Sequence, residues 1–213
     1  MTPEVVAVYG GKGGIGKTTT ASNVAYLFGR DGHRTLAVDA NIDQLSMQVI
    51  YDQFQGDPPY DLTIEERPEL LSRIRNVPYD RVVIDCPPSA REARAAIEAA
   101  DRIVVPYVPR FLETRAIVKT CREALTGRPY RVLFVAVEHS RKNAAVGARE
   151  SLVGVGIPVY RTMIRKYVAH ETAQSNGVPV FLPEAADLNK YAPEAAKDYE
   201  AFYKELLAEL GGE

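Results

Sequence analysis

Short runs of valine, isoleucine and other apolar residues alternate along the chain with segments in which apolar residues recur every three or four positions. The first pattern is typical of strands buried on both faces, and the second of amphipathic helices. The alternation predicts an α/β fold with a mostly parallel twisted sheet and helices on both faces. The predicted strands are Val5–Tyr9, Thr35–Val38, Arg81–Ile84, Ile103–Val105 and Val132–Val137.

Helices are predicted between and after these strands. The first, Lys17–Gly29, follows a glycine-rich turn and has a regularly spaced apolar face. The stretch Tyr51–Tyr60 contains two prolines and a glycine, which predict a loop. The other predicted helices are Leu112–Leu125, Ala145–Val153 and a terminal helix, Ala192–Leu210.

Composition favours a single globular domain spanning residues 1–213. Of the 213 residues, 46% are hydrophobic and 25% charged, which is ordinary globular usage. No apolar run approaches the roughly 20 residues that span a bilayer, and the first residues do not resemble a signal peptide, so we expect a cytoplasmic protein. Cys86 and Cys121 are too few for a disulfide framework or zinc site and are expected in the core.

Charge is unevenly distributed, although the net charge is only −2. Residues 1–109 carry −4, residues 110–166 carry +8 and residues 167–213 carry −6. A basic segment in a nearly neutral protein is typical of a surface that binds a phosphate backbone. It is equally typical of solvated helix faces.

A glycine-rich segment after the first strand carries the clearest chemistry. Three glycines, Gly11, Gly13 and Gly16, fit the weak pattern GxGxxG, but the more specific pattern GxxxxGK[ST] runs from Gly11 to Thr18. Successive backbone N–H groups and a helix N-terminus there would bind phosphates, with Lys17 between the β- and γ-phosphates. The predicted nucleotide-binding residues are Gly11, Lys12, Gly13, Gly14, Ile15, Gly16, Lys17, Thr18 and Thr19.

A magnesium site is predicted next to this loop. The Thr18 hydroxyl is a candidate Mg²⁺ ligand, and Asp85 ends a buried strand where P-loop proteins hold Mg²⁺ or its water. Asp39 ends the second strand in the same way and should lie in the same crevice, so it is a further candidate Mg²⁺ ligand. The alternative for Asp85 is a carboxylate that caps the turn Pro87–Ser89.

Lys12 lies where ordinary P-loops have no need of a cation. The segment KGGIGKTT resembles the deviant Walker A motif of the ParA/MinD ATPases. This resemblance implies ATP as the nucleotide and an ATP-bound homodimer in which Lys12 reaches the partner subunit's nucleotide. Lys12, Lys17, Asp39 and Asn41 are the catalytic candidates that it implies.

Further segments resemble the same family. The sequence DANIDQ from Asp39 is similar to the switch segment, DCPPS from Asp85 to the Walker B segment, and PYVP followed by Glu113 to the PxxP segment. The region from Ile164 to Val180 is similar to the part of the family that precedes its last elements. The length resembles the short plasmid-partition type, which has no N-terminal helix-turn-helix domain.

The sequence departs from the family pattern in two places. Asn41 replaces the second switch aspartate, and an amide cannot accept a proton from water, so slow ATP turnover is expected unless Asp43 or Asp39 substitutes. Glu138, His139 and Ser140 stand where many relatives have an asparagine that contacts adenine. Base recognition therefore does not follow from this segment.

The function implied by the resemblance is DNA partition. ATP and Mg²⁺ would close a dimer that binds DNA without sequence preference, and a ParB-like centromere-binding protein would stimulate hydrolysis, placing the chain on the nucleoid in plasmid or chromosome segregation. Phosphate contacts need only accessible cations. The DNA-binding candidates are Arg141, Lys142, Arg161, Arg165 and Lys166.

Two alternatives remain open. A MinD-like positioning ATPase would need a basic terminal helix for anionic lipids, whereas this one carries Glu200, Glu205 and Glu209 against Lys204, so no membrane partner is expected. A metabolic P-loop enzyme would need a substrate pocket, for which no motif is present. A cluster-bridging reductase would need paired exposed cysteines, which Cys86 does not provide.

Overall fold

The computed structural model describes residues 2–110 and 114–211. Its centre is a seven-stranded sheet in the order β3-β2-β4-β1-β5-β6-β7, and all neighbouring strands are parallel. The strands are β1 (Glu4–Val8), β2 (Thr35–Asp39), β3 (Asp61–Ile64), β4 (Arg81–Asp85), β5 (Arg102–Tyr107), β6 (Tyr130–Val137) and β7 (Val159–Arg165).

Helices cover both faces of the sheet. They are α1 (Lys17–Arg30), α2 (Ser46–Asp52), α3 (Ala90–Ala99), α4 (Thr114–Ala124), α5 (Lys142–Gly154), α6 (Val168–Asn176), α7 (Pro183–Leu188) and α8 (Ala192–Glu209). Two 3₁₀ segments, Pro68–Asn76 and His139–Arg141, complete the described elements.

The two faces have separate apolar cores. One joins the sheet to α3, α4, α5 and the first 3₁₀ segment, and the other joins it to α1, α2 and α8. The inner strands are buried on both faces, which explains their continuous runs of valine and isoleucine. The cysteines at positions 86 and 121 are buried in the first core, as predicted.

The five predicted strands are present, with ends shifted by up to two residues, but the edge strands β3 and β7 were not predicted. Strand β3 has four residues that alternate between exposed and half-buried, and β7 buries only Tyr160 and Ile164 fully. Short half-exposed strands do not give the apolar runs on which the prediction depended. The prediction of a mostly parallel sheet with helices on both faces is confirmed.

Helix boundaries differ from the predictions in particular places. Helix α5 begins three residues earlier than predicted, and Tyr51 and Asp52 belong to α2 rather than to a loop. The predicted start of α4 at Leu112 and the acidic residue Glu113 lie outside the described residues. The short helices α2, α6 and α7 were missed because they have nine residues or fewer and little apolar periodicity.

Acidic residues of α8 make contacts within the protein, which corrects the sequence-based interpretation of a free acidic face. Glu205 accepts hydrogen bonds from the backbone N–H groups of Arg161 and Thr162, both 2.8 Å long. Glu209 pairs with Arg131 at 2.7 Å, and Glu200 accepts a hydrogen bond from Arg30. These carboxylates join α8 to the sheet and to α1, so they do not form the free acidic face that was used to argue against a membrane.

Candidate functional site

The glycine-rich loop between β1 and α1 adopts a conformation that its glycines permit. Gly14 and Gly16 have φ values of 69° and 80°, in the left-handed region that side chains disfavour. Gly16 immediately precedes α1, which begins at Lys17. The first N–H groups of this 14-residue helix therefore face the loop, where an anion is stabilised.

Lys17 is buried at the start of α1, with 6% of its surface exposed. Its Nζ donates a hydrogen bond to the Lys12 carbonyl oxygen at 3.1 Å. Burial lowers the pKa of the Lys17 ammonium, and the Asp85 carboxylate opposes this shift. A buried cation costs free energy unless anionic groups surround it, so its position fits a phosphate-binding loop.

Thr18 and Asp85 meet at the carboxyl end of β4. The Thr18 hydroxyl donates to Asp85 Oδ2 at 2.6 Å, while the buried Oδ1 atom of Asp85 has no hydrogen-bond partner among the described residues. Burial raises the pKa of Asp85 to about 7, although the Thr18 hydrogen bond opposes the rise. A hydroxyl and a carboxylate oxygen without a partner are ligands that suit Mg²⁺, so these two residues fit the predicted metal site.

Asp39 lies beside Asp85, because β2 and β4 pair these two residues in register. Its carboxylate accepts hydrogen bonds from the backbone N–H groups of Asn41 at 3.1 Å, Met47 at 3.0 Å and Gln48 at 3.2 Å. Both oxygens are therefore committed to the segment that leads into α2. Metal ligation by Asp39 stays a prediction, and it would require some of these contacts to change.

The segment after Asp39 is compact and locally strained. Asn41 is buried, and its amide nitrogen donates to Gln44 Oε1 at 3.3 Å. Leu45 precedes α2 with a φ of 45°, which is uncommon for a residue with a side chain. Strain of this kind is often found in segments with two arrangements, which fits the interpretation of residues 39–44 as a switch.

A cleft of about 670 Å³ opens over the glycine-rich loop. Its walls include residues 14–19, Asn41, part of α2, the end of β7 and the cleft-facing residues of α6. Gln174 on α6 donates to the Thr19 hydroxyl at 3.0 Å, which connects the far wall to α1. His170 and Gln174 were not predicted to line the cleft, since no motif distinguishes them from other helical residues.

The five basic residues proposed for DNA binding are in different environments. Arg165 forms a two-pronged ion pair with Asp198, with its Nε and Nη2 atoms 2.9 and 2.8 Å from the carboxylate oxygens. Lys166 and Arg141 both approach Glu138, at 3.5 and 3.4 Å. Their role on DNA stays a prediction, as do those of the exposed residues Lys142 and Arg161.

Residues 6–190 match the family model described as the CobQ/CobB/MinD/ParA nucleotide binding domain. The chain belongs to this family. The family assignment from the glycine-rich loop is thereby confirmed, and the chain is an ATPase of the ParA and MinD type.

Particular relatives cover nearly the whole chain. The maintenance of carboxysome distribution protein A of Gloeobacter kilaueensis is 37% identical over 213 residues, covering 98% of this chain and 94% of the relative. The chromosome partitioning protein ParA of Caulobacter vibrioides is 28% identical, covering 84% and 86%. The Pyrococcus horikoshii septum site-determining protein MinD, solved with Mg-ADP, has a TM-score of 0.68 at 16% identity, with 96% of each chain covered.

The predicted cofactors, ATP and Mg²⁺, agree with these comparisons. The structural neighbour was solved with Mg-ADP, and in this chain the glycine-rich loop and the Thr18–Asp85 pair lie at the carboxyl ends of the strands. Over residues 2–110 and 114–211, no helix is both long enough and apolar enough to cross a bilayer.

Proposed function

We propose that this chain is a positioning ATPase that cycles between nucleotide states. ATP and Mg²⁺ close a homodimer, the dimer binds DNA without sequence preference, and a partner protein stimulates hydrolysis and release. The observation that carries the proposal is the cluster of buried Lys17, the Thr18–Asp85 pair and the unpartnered Asp85 Oδ1 under a glycine-rich loop. The family match supports the ATPase part of the cycle.

Each residue has a defined task in this cycle. The loop N–H groups and Lys17 bind the phosphates, and Thr18 with Asp85 would hold Mg²⁺, which shields the phosphate charge when bound. Lys12 is exposed on the loop and would reach the nucleotide of a second copy. Asn41 would orient the attacking water without accepting its proton, which predicts slow basal turnover and a need for stimulation.

The cargo has two candidates. Plasmid or chromosome segregation with a ParB-like partner is the first, supported by the Caulobacter relative named for chromosome partitioning. Positioning of a protein body is the second, supported by the Gloeobacter relative named for carboxysome distribution, which is more similar to this chain. Both cargoes are compatible with the same nucleotide cycle on DNA.

Size-exclusion chromatography with ADP, with ATP and without nucleotide tests the dimerisation step. The wild-type protein should elute as a dimer only with ATP. Lys17→Ala should remain a monomer because it binds nucleotide weakly, and Lys12→Ala because it loses the contact between subunits while still binding nucleotide. Exposed Lys204 on α8 offers a matched control, Lys204→Ala, which should behave as wild type. An ATP-dependent dimer of Lys12→Ala would contradict the proposal.

DNA binding is tested separately by measuring affinity at several salt concentrations. The exposed residues Lys142 and Arg161 can be reversed to glutamate without breaking the Arg165–Asp198 pair. The double variant should bind random-sequence DNA more weakly and lose part of the salt dependence, since fewer phosphates are neutralised. An unchanged affinity and salt slope would show that these two cations are only solvated.

A further inference from the structure

The backbone N–H groups at the two edges of the sheet differ in their hydrogen-bond partners. At the β7 edge, acidic side chains of α8 accept the outward backbone N–H groups: Glu205 accepts from Arg161, and Asp198 from Arg165 at 2.9 Å. These N–H groups are therefore not available to pair with a strand of another chain. The β3 edge lies at the other end of the sheet, and among the described residues no acidic side chain accepts a hydrogen bond from its backbone N–H groups.

Strand β3 directs two peptide groups away from the sheet. The N–H of Glu65 donates to the Asp39 carbonyl oxygen at 3.1 Å. Because backbone N–H groups alternate in direction along a parallel strand, the N–H of Thr63 points toward β2, and those of Leu62 and Ile64 point away from the sheet. In the part of the chain that the structure describes, no side chain or loop accepts these two outward N–H groups. Unpaired groups in a row are a template for an additional strand.

The sequence around β3 is strongly acidic. Residues 52–69 contain six acidic residues and one arginine, a net charge of −5, although the whole chain has a net charge of only −2. Asp57, Asp61 and Glu66 are exposed. Two such edges would repel each other, so a second copy of this chain is disfavoured, whereas a basic segment would be attracted.

We propose that the β3 edge is a docking site for an extended basic peptide segment of a partner protein, which adds to the sheet as an eighth strand. Backbone hydrogen bonds to Leu62 and Ile64 would supply the pairing, and the acidic residues around them would select a basic sequence. The four-residue length and flanking prolines limit the site to a short segment, and they discourage open-ended aggregation.

This edge is one strand away from the candidate switch. Ile64 pairs in register with Asp39, and the backbone N–H of the next residue, Glu65, donates a hydrogen bond to the Asp39 carbonyl oxygen. A strand added at β3 would therefore restrict the end of β2 from which Asn41 and the switch segment continue. An effect on ATP turnover rests on the proposed function, whereas docking itself does not.

Docking is tested first without nucleotide, so that its result does not depend on the ATPase cycle. The probe is a fluorescein-labelled eight-residue peptide of alternating lysine and valine, with binding followed by fluorescence anisotropy. Hydrogen exchange measured by NMR should slow at least tenfold at the Leu62 and Ile64 amides when the peptide is saturating. Unchanged exchange at these two amides would overturn the proposal, even if the peptide binds elsewhere.

Peptide and protein variants separate strand addition from simple charge attraction. A peptide of the same charge, N-methylated at every second residue on its pairing edge, should bind the wild-type protein at least tenfold more weakly than the unmodified peptide. The protein variant Ile64→Pro, which lacks one outward N–H group, should bind the unmodified peptide at least tenfold more weakly than the wild type. The double variant Asp57→Asn/Glu66→Gln should weaken binding several-fold, while Glu150→Gln on exposed α5 should leave it unchanged. Equal binding of the N-methylated and unmodified peptides would mean that charge alone is recognised, and would refute the docking strand.

Peptide-stimulated ATP turnover is measured last. If exchange shows docking but turnover does not change, the docking site stands and its link to the proposed cycle fails. If the protein binds no nucleotide at all, the exchange experiment still decides whether the β3 edge accepts a strand.

Discussion

Replacing Asp85 with asparagine should stabilise the nucleotide-free protein at neutral and alkaline pH. The Asp85 carboxyl is fully buried at the end of β4, and its pKa is raised from 3.8 to about 7, chiefly by burial. An unfolded chain ionises the same group near its ordinary value. Between these two values the folded state binds a proton that the unfolded state does not, so folding stability decreases as the pH rises through this window.

The magnitude follows from the difference between the two pKa values. About three units, at about 1.4 kcal/mol each, give an upper limit of about 4 kcal/mol for the cost of ionised Asp85 above pH 7. Asp85→Asn removes this charge but keeps an oxygen that can accept the Thr18 hydrogen bond. The pKa of about 7 already reflects the attraction to Lys17, so that attraction is not subtracted again. Burying the polar amide of asparagine costs part of the gain, so we expect a net stabilisation of about 2 kcal/mol at pH 8.

Urea unfolding without Mg²⁺ or nucleotide at pH 5 and pH 8 measures this effect. At pH 5 the folded carboxyl is protonated but the unfolded one is mostly ionised, so the wild type has lost only about 1.6 kcal/mol of the upper limit of about 4 kcal/mol. The cost of burying the asparagine amide is of similar size, so the two proteins should differ little at this pH. At pH 8 the variant should unfold at a higher urea concentration, while Mg²⁺-dependent nucleotide affinity should be lost. Equal stabilities at pH 8, or a variant that is less stable there, would refute the interpretation of Asp85 as a buried carboxylate that destabilises the fold.

Three further predictions follow from local geometry. Asn41→Asp should raise basal ATP turnover at least tenfold in a phosphate-release assay, and an unchanged rate would remove the basis for slow hydrolysis. Gly177→Ala should cost about 3 kcal/mol in urea unfolding, since φ is 63° and the new methyl group would overlap a backbone carbonyl; Gly154→Ala, with open space around it, is the control. Arg165→Ala should cost about 1 kcal/mol in the same assay because it removes the guanidinium from Asp198 and leaves that carboxylate only the backbone N–H of residue 165; no loss would show that the pair is neutral for stability.

The sequence was most informative where a function depends on residues that are close together along the chain. The glycine-rich loop, Lys17 and Thr18 lie within one short segment, and Asp85 ends a continuous apolar run, so each could be identified without knowledge of the fold. The meeting of Thr18 with Asp85 followed from a general rule, since the carboxyl ends of adjacent parallel strands lie together. The structure places them 2.6 Å apart.

Contacts between distant segments could not be predicted in the same way. Gln174 reaches Thr19 across 155 positions, and Arg165 is held by Asp198 on α8, 33 positions later. The sequence separation of neither pair predicts a contact, because the positions of α6 and α8 depend on how all the helices pack on the sheet. The carboxylates of α8 were misinterpreted for the same reason: periodicity places residues on a helix face without showing what that face contacts.

Asp39 and Asp85 show why residue type at a strand end does not by itself decide a role. The two residues are paired in adjacent strands, yet Asp39 uses both oxygens to hold backbone N–H groups before α2, while one oxygen of Asp85 has no partner among the described residues. Only Asp85 carries a destabilising desolvation cost without compensation from backbone donors. Buried Lys17 and strained Leu45 add to the cost at the same end of the sheet. These free-energy costs lie together at one end of a sheet whose two cores are otherwise well packed. A bound anionic nucleotide and cation would offset them, as expected of a preorganised binding site.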